Sequence, residues 1–292
     1  MREALLKVFL RFCAVLPLPA AHVLGAGIGT ILGMLPGRTR RVTMRNLELC
    51  FPELSQTERK RLARSSLREA GKTAAETGAV WGRDVNQVLA LVRAAPGREL
   101  VDTALTAGKG AIIITPHLGN WEMVGLYCAS RWPLTSLYRP PRMQGLEEFV
   151  RHARERGGAK LVPTNVAGVR YMFHALERSE CVGLLPDQDP TQGAGVFAPF
   201  FGIPAYTMVL LARLSQRTGA PVFFAYAERL CGGAGFEVHF IAAPTDLGEA
   251  DLETICTIMN AGIETCIRRI PAQYQWSYKR FRTRPVGEPS LY

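Results

Sequence analysis

The sequence predicts an α/β protein in which helices flank a mostly parallel sheet, preceded by a separate apolar helical segment at the N-terminus. Three observations predict it. Apolar runs of strand length alternate with longer stretches of helical character, the pattern of βα units around a parallel sheet. The stretch 111–122 reads as strand, tight turn and helix start in direct succession. The first 37 residues carry two apolar runs broken by prolines, unlike anything that follows.

In the N-terminal segment, Leu5 to Leu16 is apolar with Lys7 and Arg11 interspersed, Pro17 and Pro19 break it, and Ala20 to Leu35 is a second apolar run closed by Pro36-Gly37. Each is shorter than the roughly 20 residues a spanning helix needs. Basic residues flank both ends, so the positive-inside rule gives no orientation. Two short helices lying in the membrane interface fit this pattern. Gly25, Gly29 and Gly33 recur at four-residue spacing, which lets another helix approach closely. No clear small-residue cleavage site marks a signal peptide. The division is thus residues 1–37 as a membrane-associating segment and 38–292 as one catalytic-sized domain.

Residues 41–95 read as helical, with Ser55-Gln56-Thr57-Glu58 as a helix start. After the 111–130 strand–turn–helix, strands are predicted at Thr135–Arg139, Cys181–Pro186, Pro221–Glu228 and Phe236–Ala242. Helices are predicted at Leu146–Arg156, Val169–Arg178, Tyr206–Thr218 and Asp251–Arg269. Ala198-Pro199-Phe200-Phe201-Gly202 reads as an apolar wall, and an aromatic, basic tail ends the chain.

The chain has 292 residues, 48% hydrophobic and 21% charged, with glycine and proline dispersed. That composition excludes a disordered or low-complexity chain. The net charge of +10 favours anionic partners: nucleic acid, an anionic membrane face, phosphorylated lipids or an acidic carrier protein. The seven cysteines form no CxxC and no zinc-type spacing with histidine, which reads as buried free thiols. There is no HExxH, no P-loop and no dinucleotide fingerprint following a strand; no metal and no cofactor is signalled.

The chemistry concentrates in His117-Leu118-Gly119-Asn120-Trp121-Glu122. On one straight helix, residues five apart lie about 140° from each other. With His117 in the turn and the helix starting near Gly119 or Asn120, Glu122 is expected to bond one ring nitrogen and fix the tautomer. The other nitrogen is then free to act as general base. The backbone N–H groups of Gly119 and Asn120 are the expected donors to an oxyanion. The motif lies at the carboxyl end of a strand, where open α/β sheets bind ligands. Further polar groups stand at element ends: Arg139 in Tyr138-Arg139-Pro140; Arg151, Arg154 and Arg156; and Asp187 and Gln188 in Pro186-Asp187-Gln188-Asp189. Arginine forks suit phosphate and carboxylate recognition. His22, His152, His174 and His239 stand in no such motif and read as structural or surface residues.

Taken together, these segments resemble the late acyltransferases of lipid A biosynthesis, the lauroyl/myristoyl type, within the glycerolipid acyltransferase superfamily and its His-x4-Asp/Glu motif. The resemblance rests on His117–Glu122, Tyr138-Arg139-Pro140, Arg154, Leu185-Pro186-Asp187-Gln188, Pro199-Phe200-Phe201-Gly202 and the tail from Gln273 to Pro285, in order along the chain. It implies a glycerolipid-acyltransferase-like sandwich. It also implies transfer of a fatty acyl group from the thioester of acyl carrier protein to a hydroxyl of a phosphorylated glucosamine lipid of the Kdo-lipid IVA type, at the cytoplasmic face of the inner membrane. His117 and Glu122 become the catalytic pair; Arg139, Arg154, Asp187, Asn120 and Gln188 become substrate-binding residues. The arginines at 139, 142, 151, 154 and 156 become the surface for the acidic carrier. The chain is short for that family, and its N-terminal segment is broken by two prolines. The rival readings are a phospholipid- or aminolipid-directed acyltransferase, an acyl hydrolase in which His117 activates water, and a non-enzymatic basic module binding nucleic acid or membrane. The ordered polar groups at strand ends exceed what electrostatic binding alone requires.

Overall fold

A computed structural model describes residues 2–141, 143–244 and 250–292 of the chain. Four helices come first: α1 (Arg2–Val15), α2 (Leu18–Met34), α3 (Arg38–Cys50) and α4 (Gln56–Gly82), followed by the short α5 (Val85–Leu89). Ser55 opens α4 with a capping box, its hydroxyl accepting from the Glu58 N–H while the Glu58 carboxylate accepts from the Ser55 N–H.

The remainder alternates strand and helix: β1 (Val92–Ala94), α6 (Arg98–Thr106), β2 (Ala111–Ile114), α7 (Trp121–Ala129), β3 (Leu134–Tyr138), α8 (Glu147–Glu155), β4 (Lys160–Pro163), α9 (Val166–Glu177) and β5 (Cys181–Leu184). A hairpin, β6 (Gly195–Phe200) and β7 (Ile203–Met208), leads to α10 (Leu210–Thr218), β8 (Val222–Arg229), β9 (Phe236–Ala242) and α11 (Leu252–Arg269). Seven strands form one sheet in the order β1-β9-β8-β2-β5-β3-β4, and only β8 and β9 run antiparallel. The predicted mixed α/β fold with a mostly parallel sheet is therefore present.

Both faces of the sheet are covered, so β2 reads as an unbroken apolar run. Ile112 and Ile114 join the core under α9, α10 and α11, while Ala111 and Ile113 join the core under α7. Three elements depart from the sequence reading. The predicted helix Tyr206–Thr218 begins only at Leu210; Tyr206, Thr207 and Met208 belong to β7, paired residue for residue with β6. Within the span read as helical, Val92–Ala94 is a strand held along β9. Lys160–Pro163 is an edge strand beside β3. The last two, of three and four residues, are too short for their alternation to register in the sequence.

The two N-terminal helices pack on α4. A Cβ on Gly25 would lie 2.5 Å from the Gly71 carbonyl oxygen, and one on Gly29 would meet the Leu67 and Arg68 backbone, so the spaced glycines set a close crossing. The outer side of α1 is apolar: Leu5, Val8, Phe12 and Val15 are all exposed, and their spacing of three, four and three puts them on one stripe. Val23, Ile31, Leu32 and Met34 of α2 and Leu35 at its end are exposed as well. Among the described residues no single helix is long and apolar enough to cross a membrane; α2 and α3 together meet that test but are bent by 84°.

Candidate active site

The parallel pairing of β2 and β5 builds the site. Ile114 stands opposite Leu184. Each strand then runs through one residue and a proline to a polar side chain three positions on, His117 after Pro116 and Asp187 after Pro186. Equal extensions from registered neighbours place the two side chains together. Asp187 Oδ1 lies 2.8 Å from His117 Nδ1, and Oδ2 accepts from the His117 backbone N–H at 2.8 Å. Burial pushes the Asp187 carboxyl up, but the His117 charge and both hydrogen bonds outweigh it and hold it below its ordinary value. An ionised carboxylate only accepts, so this network assigns the proton to Nδ1 and leaves the lone pair on Nε2.

Nε2 faces the Gln188 amide. Gln188 Nε2 lies 3.2 Å from it and donates to Gln275 Oε1 at 3.1 Å. The C-terminal tail thus reaches the base, and its backbone follows the motif: Gln275 N–H donates to the His117 carbonyl, and Gly119 N–H to the Gln273 carbonyl. Gly119 sits at φ +60°, with a Cβ position 1.9 Å from the Ala227 carbonyl oxygen. Only glycine fits that turn.

Glu122 is elsewhere than expected. Its carboxylate makes no hydrogen bond to His117. Arg154 forks onto it, Nε to Oε2 at 2.9 Å and Nη2 to Oε1 at 2.5 Å, and Trp81 Nε1 donates at 3.0 Å. Burial raises this carboxyl, while the Arg154 charge and the bonds from Arg154 and Trp81 bring it below its ordinary value. The expected fold-back of the turn onto Glu122 does not occur, because a guanidinium fork from α8 holds the carboxylate instead. Asp187 supplies the contact to the ring, and it does not touch Arg154.

Asn120 is buried beneath the turn. Its Oδ1 accepts from Met123 N–H and its Nδ2 donates to Glu76 Oε2. It caps α7 rather than lining the cavity. The N–H groups of Gly119 and Asn120 are already bonded, to the Gln273 and Ala227 carbonyls, so they are not available to an oxyanion. Among the described residues no hydrogen-bond partner meets the N–H groups of Trp121 and Glu122, the first two of α7. Arg139 is exposed at the end of β3 and Arg151 pairs with Glu155 on α8. Arg156 is turned inward, its guanidinium donating to the Arg83 and Val80 carbonyls. Arg142 lies outside the described residues.

Beneath the turn lies a second polar cluster that sequence reading missed. Glu76, fully buried, accepts from His22 Nε2 at 2.5 Å, from Asn120 and from the Arg229 fork, and Arg229 also reaches Glu69 and Thr73. Burial opposes ionisation of Glu76, but the Arg229 charge and hydrogen bonds hold its carboxyl below the ordinary value. No local signal joins positions 22, 76 and 229.

His117, Trp121, Glu122, Arg139, Arg154 and Gln188 line one cavity of about 1230 Å³. It crosses the carboxyl edge of the sheet. Its lining has two sides, here its lobes: Val80, Trp81, Leu126 and Ala153 from the face covered by α7 and α8, and Val169, Phe173, Val209 and Leu210 from the face covered by α9 and α10. The imidazole belongs to the same lining, 5.0 Å from the Trp121 ring. A cavity lined by apolar side chains with a few convergent polar groups suits a lipid chain with a reacting head. Among the described residues no three His, Cys, Asp or Glu side chains converge as a metal site requires.

The profile of the bacterial lipid A biosynthesis acyltransferases matches residues 2–283. The chain belongs to this family. Its enzymes are O-acyltransferases. The lipid A biosynthesis palmitoleoyltransferase of Escherichia coli strain K12 is 31% identical over 281 residues, covering 95% of this chain and 90% of that protein. The lauroyltransferase of the same strain is 28% identical over 278 residues, covering 95% and 90%. The myristoyltransferase is 25% identical over 274 residues, covering 91% and 82%. These three relatives differ by name in the acyl group transferred.

Proposed function

We propose that the protein transfers a fatty acyl chain from the thioester of acyl carrier protein to a hydroxyl of a phosphorylated glucosamine lipid, a lipid A precursor of the Kdo-lipid IVA type. The observation that carries this reading is the imidazole itself: Nδ1 is held by Asp187, and Nε2 opens on a large, mostly apolar cavity. The acceptor oxygen attacks the thioester carbonyl carbon as Nε2 takes its proton. The tetrahedral oxyanion collapses, the C–S bond breaks, and the thiolate leaves with the proton from the imidazolium. Such a base contributes about 10²–10⁴-fold. The unused N–H groups of Trp121 and Glu122 are the donors proposed for the oxyanion. Gln188 occupies the Nε2 lone pair in the free enzyme and yields it to the acceptor hydroxyl. Glu122 acts through Arg154, fixing the guanidinium at the cavity wall, while exposed Arg139 meets an acceptor phosphate.

The exposed apolar residues of α1 and α2 support membrane attachment, which the proposal places at the cytoplasmic face of the inner membrane, with residues 1–37 lying in the interface and 38–292 carrying the chemistry. The test is mass spectrometry of purified enzyme with loaded acyl carrier protein and the tetra-acylated precursor, wild type beside His117→Ala. One added acyl mass in wild type alone is expected. Free fatty acid in place of acylated lipid would make it a hydrolase, and product only with a lysophospholipid or aminolipid would change the acceptor.

A further inference from the structure

The two lobes of the cavity lie on opposite faces of the sheet, and those faces differ in what surrounds them. The lobe at Trp81 and Ala153 adjoins the membrane-facing helices. Leu6 of α1 and Trp81 of α4 pack against the Tyr138, Leu146, Val150 and Leu161 cluster, and Leu18 of α2 belongs to the core on this face. The lobe at Val169 and Phe173 opens between α9 and α10, on the face built over Ile112 and Ile114.

Charge separates them further. On the membrane-facing side, the arginines on and just after α8 are engaged, Arg154 by Glu122, Arg151 by Glu155 and Arg156 by backbone carbonyls, and only Arg139 at the end of β3 is an exposed lining arginine without a carboxylate among the described residues. On the other side, α10 carries no acidic residue, and the one acid of α9, Glu177, pairs with His174. Arg170, Arg213 and Arg217 are exposed there and have no carboxylate partner among the described residues. Arg213 and Arg217, four apart on α10, share a helix face and line the rim of the cavity. Arg217 lies over the Phe173 ring at 4.8 Å. The rim is therefore positive, apolar beneath, and remote from α1 and α2.

We infer that the acidic acyl carrier docks over Arg170, Arg213 and Arg217 on the α9–α10 face, and that its acyl chain reaches His117 from there while the lipid acceptor enters from the opposite, membrane-facing lobe. The inference rests on the acyl-carrier reading of the donor. It replaces the arginines of residues 139–156 as the carrier surface. It also follows from access: a water-soluble donor and a membrane-embedded acceptor are kept apart until they meet at the base. The positive rim complements an acidic protein and its phosphopantetheine phosphate.

The experiment is steady-state kinetics of acyl transfer with acyl carrier thioester and lipid acceptor varied in turn, for Arg213→Glu with Arg217→Glu, and for Arg213→Glu alone, which leaves the Arg217–Phe173 contact intact. The expected result is a rise in KM for the carrier thioester of about tenfold in the double variant, with KM for the lipid acceptor unchanged. The dependence of carrier KM on salt should flatten in the same variants. Arg131→Glu is the control, because Arg131 lines a separate hollow beside Arg93 and Arg98. A carrier KM equal to wild type in the double variant, or one that rises in Arg131→Glu or Arg139→Glu instead, overturns the docking site and leaves the donor reading standing. A wild-type enzyme that makes no product from any carrier thioester yet uses another acyl donor overturns both.

Discussion

Of the histidines that meet carboxylates, His22 and His117 do so in two contrasting settings. His22 meets Glu76 in a sealed cluster where the carboxylate also receives Arg229 and Asn120. His117 meets Asp187 at the end of adjacent strands, with its second nitrogen at the wall of a large cavity. The first arrangement gives the Glu76 carboxylate bonds from His22, Asn120 and Arg229 and ties α2, α4, the start of α7 and β8 together. The second leaves a lone pair covered only by a side-chain amide that a substrate can displace. A histidine–carboxylate pair becomes a base when the far nitrogen has a reactant to face; without that it is a buried joint.

Substitution at each histidine sharpens the contrast. His117→Ala should lower kcat by about 10³-fold or more and, by unpairing the buried Asp187, also lower the melting temperature, whereas His22→Ala should lower the melting temperature and leave kcat of the folded enzyme within about threefold. Turnover and thermal denaturation on the same preparations check both. The carboxylates come next. Asp187→Asn presents one acceptor and one donor to two donors, so the ring must change tautomer or the turn must lose a bond; kcat should fall by about 10²-fold. Glu122→Gln loosens Arg154 and should act on the KM for the acceptor more than on kcat.

Glu76→Gln leaves the buried Arg229 facing a neutral amide and should cost about 3–5 kcal/mol in urea unfolding, with little change in the pH profile of turnover. The smallest effect is on acid stability. Asp187, Glu122 and Glu76 all have carboxyls held low in the folded state. The unfolded chain therefore binds protons more readily, and the stability they contribute is complete above about pH 5 and lost as pH falls below about 4. Unfolding midpoints across that range should drop less steeply in Glu76→Gln than in wild type.

Why the motif was legible and its partner was not follows from distance along the chain. His117 announces itself through the strand, the proline and the helix start around it. Asp187 is 70 residues away, and its own strand–proline offset matches that of His117 only once β2 and β5 are known to be neighbours. Glu122 shares the motif by sequence but points to α8. The apolar stripe of α1 was readable because helical spacing is local. The edge strands at 92–94 and 160–163 were not, because their three or four residues take their conformation from β9 and β3. The Glu76 cluster draws on four elements and has no sequence signature at all.

Whether Asp187 or Glu122 orients the His117 ring is decided by nitrogen NMR of ring-labelled histidine, with His117 assigned by its alanine variant. His117 should be the Nδ1-protonated tautomer in wild type and in Glu122→Gln, and should lose that form in Asp187→Asn. An Nδ1-protonated ring that persists in Asp187→Asn but is lost in Glu122→Gln would contradict the role of Asp187.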